Sequence, residues 1–382
     1  MKITIKEVTT KRELKQFVKF PNKLYLGNKF YVPPLIYSEL KTLSKKDNPS
    51  FEFCEAKYWL AYINNKIVGR VAGVINYNYN KKVGENFVRF GWLDFIEDEN
   101  VLKELIETVE SWAIQKNIKT IHGPLGLSEF DASGILIEGF EERSTSFGKF
   151  NFPYYSELIE KLGFKKDIDW VEYNIKVPKS IPEKYSRIAM VVKNRYKLHS
   201  GRLRKKKDLL KYSDEVFQLL NQEYAGLYAF SELTKTQCED LKSQFIPLLR
   251  LKYVSIILNA ENNVVGFGIC MPSLSKALQK AKGHLYPLGI LRIQNALKYN
   301  DTIDTLLIAV HKDYKDKGVN SVIFNDIGNS IINSGITNIE STRELEENFS
   351  VQNLWNKFEF RQHKKTRCYV KKLVQPKTEL KK

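Results

Sequence analysis

The chain has 382 residues, 43% of them hydrophobic and 12% aromatic, and carries a formal net charge of +17. That length suits two domains rather than one core, and the apolar content excludes an intrinsically disordered chain. The four cysteines (54, 238, 270, 368) and five histidines (122, 199, 284, 311, 363) lack metal-ligand spacing and form no CxxC, which points away from a zinc site or a disulfide framework.

Taken in chain order, the N-terminus MKITIKEVTT lacks an apolar signal core, and no run of 18 uncharged residues follows anywhere. The expectation is a cytoplasmic protein, with a peripheral place at the inner membrane as an alternative. KYWLAYINNKIVGRVAG (57–73) reads as a β-hairpin, two apolar strands about an Asn-containing turn. FVRFGWLDF (87–95) is the next strand. ENVLKELIETVESWAIQKN (99–117) then places Leu102, Leu105, Ile106, Val109, Trp112 and Ala113 on one helical stripe. The turn between them, DFIEDEN (94–100), gathers Asp94, Glu97, Asp98 and Glu99 at a helix N-terminus, where they favour the dipole but repel a diphosphate. NFPYYSELIEKLGF (151–164) ends this half, with Tyr154 and Tyr155 either lining a cleft or filling the core. A Pro-containing linker, KVPKSIPEKYS (176–186), divides 1–178 from 186–382.

The second half repeats the first. KYVSIILNAENNVVGFGI (252–269) matches the earlier hairpin, and NFSVQNLWNKFEF (348–360) matches NFPYYSELIEKLGF. From Gly69 to Phe164 is 95 positions and from Gly266 to Phe360 is 94, so the matched ends lie at matched spacing and imply a duplicated domain. IDTLLIAV (303–310) is a continuous apolar run, expected to be a strand buried on both faces. Val319, Val322, Ile323, Ile327 and Ile331 follow at helical spacing. Each half is thus expected to be an α/β domain with a mixed sheet flanked by helices. The segment 273–300 has no counterpart in the first half. Its Leu and Ile positions, mixed with Lys276, Lys280, Lys282, Arg292 and Lys298, suit a lipid surface, a cover over an acyl chain, or packing on its own sheet.

The glycine-containing turn HKDYKDKGVN (311–320) joins a strand to a helix N-terminus, a place where unpaired N–H groups face an anion. Here the chain resembles the GCN5-related N-acetyltransferase superfamily, with Lys315, Gly318 and Asn320 in the positions of its phosphate loop. Beyond this motif, YVPPL (31–35), NPSFEFCEAKYWLAY (48–62), IHGPLG (121–126), ENFSVQNLW (347–355) and PSLSKAL (272–278) resemble a family of bacterial tandem acetyltransferase-like proteins that includes bacterial ceramide synthases. The resemblance implies an acyl-CoA-dependent N-acyltransferase without a metal, with donor contacts from Val310, Lys315, Lys317, Gly318, Val319 and Asn320 in the second domain only. It also implies a lipophilic amine as acceptor, such as a long-chain sphingoid-type base. Trp355 stands where that superfamily commonly has a tyrosine acid, so Glu340, Glu346 and Asn348 are the candidate catalytic residues. His311, after the strand, is a further titratable neighbour.

The charge of +17 permits an anionic partner or simply reflects lysines spread along the chain. KNRYKLHSGRLRKKK (193–207) raises an alternative, a transferase that uses aminoacyl-tRNA. No aromatic residue interrupts RLRKKK (202–207), which makes nucleic acid an unlikely partner. A non-catalytic binding protein of the same fold is the other alternative.

Overall fold

The computed structural model describes residues 2–373. They form two compact units, the first from residues 2–171, 278–289 and 363–373, the second from 172–277 and 290–362. A single cut in the linker at 176–186 does not reproduce these units, because residues 278–289 and 363–373 belong with the first.

In chain order the first unit has β1 (Thr4–Glu7), α1 (Lys11–Leu24), α2 (Ile36–Thr42), β2 (Cys54–Ile63), β3 (Lys66–Asn76), α3 (Tyr77–Val83) and β4 (Phe87–Phe95). It continues through α4 (Glu99–Gln115), β5 (Thr120–Gly123), β6 (Ile135–Glu138) and α5 (Tyr154–Lys161). The next strand, β7 (Lys165–Lys176), carries the chain into the second unit. There follow α6 (Glu183–Tyr196), β8 (His199–Ser200), α7 (Ser213–Tyr224), α8 (Lys235–Phe245), β9 (Val254–Leu258) and β10 (Val264–Pro272). After α9 (Ser275–Ala281) and α10 (Gly289–Lys298) come β11 (Thr302–Val310), α11 (Val319–Asn333), β12 (Asn338–Ser341), β13 (Glu344–Leu345), α12 (Phe349–Gln352) and β14 (Phe360–Lys372).

The strands of each unit, taken as its own sheet, share one plan. In the first unit β1 to β4 are antiparallel neighbours, β5 lies parallel to β4, and β14 lies antiparallel to β5. In the second, β8 to β11 are antiparallel, β12 lies parallel to β11, and β7 lies antiparallel to β12. Each sheet is therefore completed by the strand that ends the other half of the sequence. The doubled phrase at 151–164 and 348–360 precedes these two exchanged strands.

Local chemistry accounts for the elements. Asn64 and Asn65, at φ 47° and 61°, make the two-residue turn of the first hairpin, a backbone that asparagine tolerates better than most residues. The striped face of α4 is buried from Val101 to Ala113 and lies close on β3. A Cβ on Gly69 would come 2.8 Å from Leu105 Cδ1. The repeat keeps this device, for a Cβ on Gly268 would meet Ile323 Cγ2 at 2.4 Å, so α11 also rests directly on backbone. Val319, Val322, Ile323, Ile327 and Ile331 are all buried.

The segment 273–300 is two short helices. Ile293 and Leu297 are buried, whereas Leu288 and Leu291 are exposed, and Lys276 pairs with Asp301 at 2.7 Å. No helix among the described residues is long and apolar enough to cross a membrane.

Candidate active site

In the second unit β11 and β12 run together for only four residues, Thr302–Thr305 against Asn338–Ser341. The register of β11 on β10 slips by one between Ile269 and Cys270, which leaves Leu306 as a bulge. A bulge bends its strand, and here it lies at the point where the pairing with β12 stops. The expectation of a strand buried on both faces therefore fails locally: Leu306, Leu307 and Ile308 are only half-buried. The pairing of β11 with β12 ends at an apex, Thr305 and Ser341, beyond which β11 runs on to Val310 without β12, and we call this place the wedge. Tyr224 Oη donates to Ile308 O at 3.2 Å on this strand.

Past the wedge the chain turns through Lys312–Tyr314 and enters α11 at Gly318. Gly318 has φ 80°, a conformation that costs an L side chain about 1–2 kcal/mol. A Cβ there would also lie 3.1 Å from Val192 Cγ2. No side chain caps the helix at Gly318, so the first turn of α11, with Val319 and Asn320, keeps the anion-facing character of a helix start. Val310 is buried in the core and can offer only its backbone. The lysines of the turn are already engaged. Lys315 Nζ lies 2.6 Å from Glu223 Oε2, and Glu223 Oε1 accepts the Lys312 N–H at 2.9 Å. Lys317 sits over the rings of Tyr196 and Tyr314 at 5.3 and 5.5 Å.

The carboxylates near the apex differ in setting. Glu340, on β12, accepts from Asn174 Nδ2 at 2.8 Å. Asn348 begins α12, its N–H donating to Leu345 O at 2.9 Å, and Glu346 offers its backbone oxygen to Gln352 Nε2 at 3.0 Å. The sequence pattern singled out these three and passed over Glu344 between them. Glu344 Oε1 accepts from Trp355 Nε1 at 3.0 Å. Its Oε2 is shut off from solvent with no hydrogen-bond partner among the described residues. Burial pushes its pKa up to about 7, against the opposing influence of the Trp355 hydrogen bond and of nearby Ser341. Ser341 is the residue paired with Thr305 at the apex, and its Oγ also accepts the Tyr173 N–H at 2.9 Å. Burial and the nearby Glu344 both raise the Tyr173 phenol. The indole of Trp355 in turn contacts Phe324 of α11, centroids 6.1 Å apart. Glu344 thus joins the wedge apex to the helix that starts at Gly318. The signal that could have found it was Trp355 itself, an indole donor needing a buried acceptor in the usual tyrosine position.

No family model matches the sequence. Over 97% of its length the chain is 24% identical to Protein YghO of Escherichia coli, covering 95% of that protein. It is 25% identical over 304 residues to the bacterial ceramide synthase of Caulobacter vibrioides, covering 78% of this chain and 77% of that one. Among solved structures, the tandem GNAT protein of the clavulanic acid biosynthesis pathway matches 98% of this chain and all of its own, with a TM-score of 0.56 at 10% identity. The chain has the fold of the tandem GCN5-related N-acetyltransferases. A probable N-acyltransferase from Enterococcus faecalis matches 98% of this chain and 73% of its own, at a TM-score of 0.50 and 10% identity.

The two acetyltransferase-fold units treat the equivalent wedge differently. In the first, β4 has its own register slip beside Trp92, and β5 pairs with it over three residues. There Tyr155 Oη accepts the Phe95 N–H at 3.1 Å, and Tyr154 Oη donates to Phe95 O at 2.6 Å. Tyr25 Oη lies 2.8 Å from both Tyr155 Oη and Asp94 Oδ1, and Asp94 also binds buried Arg70 at 2.7 Å. The start of α4 is capped by Asp98, whose carboxylate accepts the Asn100 N–H at 2.9 Å. Backbone groups at the end of β4 are taken up by tyrosines, and the helix start by a carboxylate.

Proposed function

We propose that the protein is an N-acyltransferase that takes an acyl group from a thioester, acyl-CoA being the donor favoured by the fold, in the second unit only. The observation that carries this reading is that β11, bulged at Leu306, runs on past the end of its pairing with β12 and leads through Lys312–Tyr314 into the Gly318 start of α11. On this reading the N–H groups of Val319 and Asn320, with Lys315 and Lys317, receive the donor phosphates, and backbone of β11 up to Val310 polarises the thioester carbonyl. The first unit would hold no donor, because Tyr155, Tyr154 and Asp98 occupy its equivalent positions.

An uncharged amine attacks the thioester carbon, forming the amide C–N bond and breaking C–S. The amine loses one proton and the departing thiolate takes one up, so the reaction is proton-neutral. Glu344, with a pKa near neutrality, suits the acceptance of that proton. Glu340 and Glu346 are the second choice, with Asn348 positioning the loop that carries them.

For the acceptor we favour a lipophilic amine of the long-chain base type. Support comes from the ceramide synthase relative and from the half-buried apolar run Leu306–Ile308 in the wedge. Such an acceptor would be met at a membrane surface. Trp355, an indole with no titratable proton where a tyrosine acid is common, favours a second reading, a fold kept for binding without chemistry. Incubating the pure protein with a panel of long-chain bases and acyl-thioesters decides between them. Amide formation supports the enzyme, and donor binding without product supports the second reading.

A further inference from the structure

We infer that the first unit carries a docking surface for an anionic lipid bilayer, built where residues 278–289 pack on residues 22–37. The two stretches are clipped together. Gly283 O accepts the Ile36 N–H at 2.9 Å, and Gln279 Nε2 donates to Lys29 O and Tyr31 O, each at 2.9 Å. Gly283, at φ 75°, lies so close that a Cβ would meet Pro34 O at 2.7 Å.

Four large apolar side chains project from the joined segments into solvent: Leu26 is 82% exposed, Tyr37 70%, Tyr286 72% and Leu288 54%. Exposed apolar side chains gathered on contacting segments mark an interaction surface more than scattered ones do. Neither 22–38 nor 278–289 contains an Asp or Glu, whereas Lys23, Lys29 and Lys282 are exposed on them. That composition selects the partner. Lysine is depleted in protein–protein interfaces. Lysines around exposed Tyr and Leu are instead the pattern of groups that sit at the headgroup boundary of an anionic membrane. Leu288 belongs to the segment whose sequence suits a lipid surface, a cover over an acyl chain, or packing, and it is exposed, while Ile293 is a core residue. The inference extends the lipophilic-acceptor reading without depending on it, since binding to vesicles needs no turnover.

The test is co-sedimentation of the full chain with phosphatidylcholine vesicles, with and without phosphatidylglycerol. Binding is expected only with the anionic lipid and should weaken as salt rises. Replacing Leu26, Tyr37, Tyr286 and Leu288 together by Ser should lower partitioning at least about tenfold, and so should Lys23→Glu with Lys282→Glu. Met190→Ser with Val191→Ser, at exposed apolar positions of the second unit, should leave it unchanged. Thermal unfolding followed by circular dichroism checks that each variant is folded. Absence of vesicle binding by the wild type, or equal binding by all folded variants, overturns the inference whatever the enzyme assay shows.

Discussion

Replacing Glu344 with Gln tests the buried carboxyl without needing a substrate. Its pKa is pushed from an ordinary 4.5 up to about 7 by burial. In the unfolded chain it loses its proton near 4.5 and in the folded chain near 7, so the folded state holds more protons between those values. Its contribution to stability is then fully present below pH 4.5 and is lost as pH rises through 7. With about 1.4 kcal/mol for each tenfold change in ionisation, ionising the group in place costs folding roughly 3 kcal/mol at pH 8. Gln is neutral, nearly the same shape, and can still accept the Trp355 N–H. Urea unfolding followed by tryptophan fluorescence should therefore find the variant gaining up to about 3 kcal/mol over wild type between pH 4.5 and pH 8. If the difference between the two proteins does not change with pH, the carboxyl is not held protonated and the reasoning fails. The same variant should lose roughly a hundredfold or more in amide formation, together with the limb of the pH–rate profile near 7. A variant that turns over like wild type would remove Glu344 from the chemistry while leaving the stability argument intact.

Gly318→Asp places a strained, negatively charged side chain against Val192 at the start of α11. Titration calorimetry with coenzyme A should show binding weakened by about a hundredfold or more, and unchanged affinity would mean the donor site is misplaced. Glu223→Gln removes the carboxylate on Lys315, so coenzyme A affinity should rise by about three- to tenfold; a fall would show that Glu223 helps to shape the turn for its ligand. Tyr155→Phe strips the hydroxyl from Tyr25 and the Phe95 N–H in the first unit. It should cost about 1–3 kcal/mol in urea unfolding while coenzyme A affinity stays the same. A matching loss of affinity would place a donor contact in the first unit.

The sequence by itself determined what depends on neighbours a few positions apart. The stripes Val101–Ala113 and Val319–Ile331 face their sheets as their spacing demands, and Asn64 and Asn65 turn the first hairpin. Matched hairpins at matched distances disclosed the duplication, because a repeated fold keeps its local patterns even after its chemistry diverges. Tertiary structure alone decided which distant residues meet. That β14 completes the first sheet and β7 the second could not be read from the linker, since each strand has the same alternating pattern whichever partner it finds. The bulge at Leu306 opens a strand whose composition promised complete burial, because a one-residue slip is set by the pairing partner and leaves no mark in hydropathy. Glu223 reaches Lys315 across some ninety positions of chain. Glu344 was chosen over its charged neighbours only by where the Trp355 indole and Ser341 came to rest. A carboxylate's character is set by what surrounds it, and those surroundings are assembled from segments that the chain brings together only on folding.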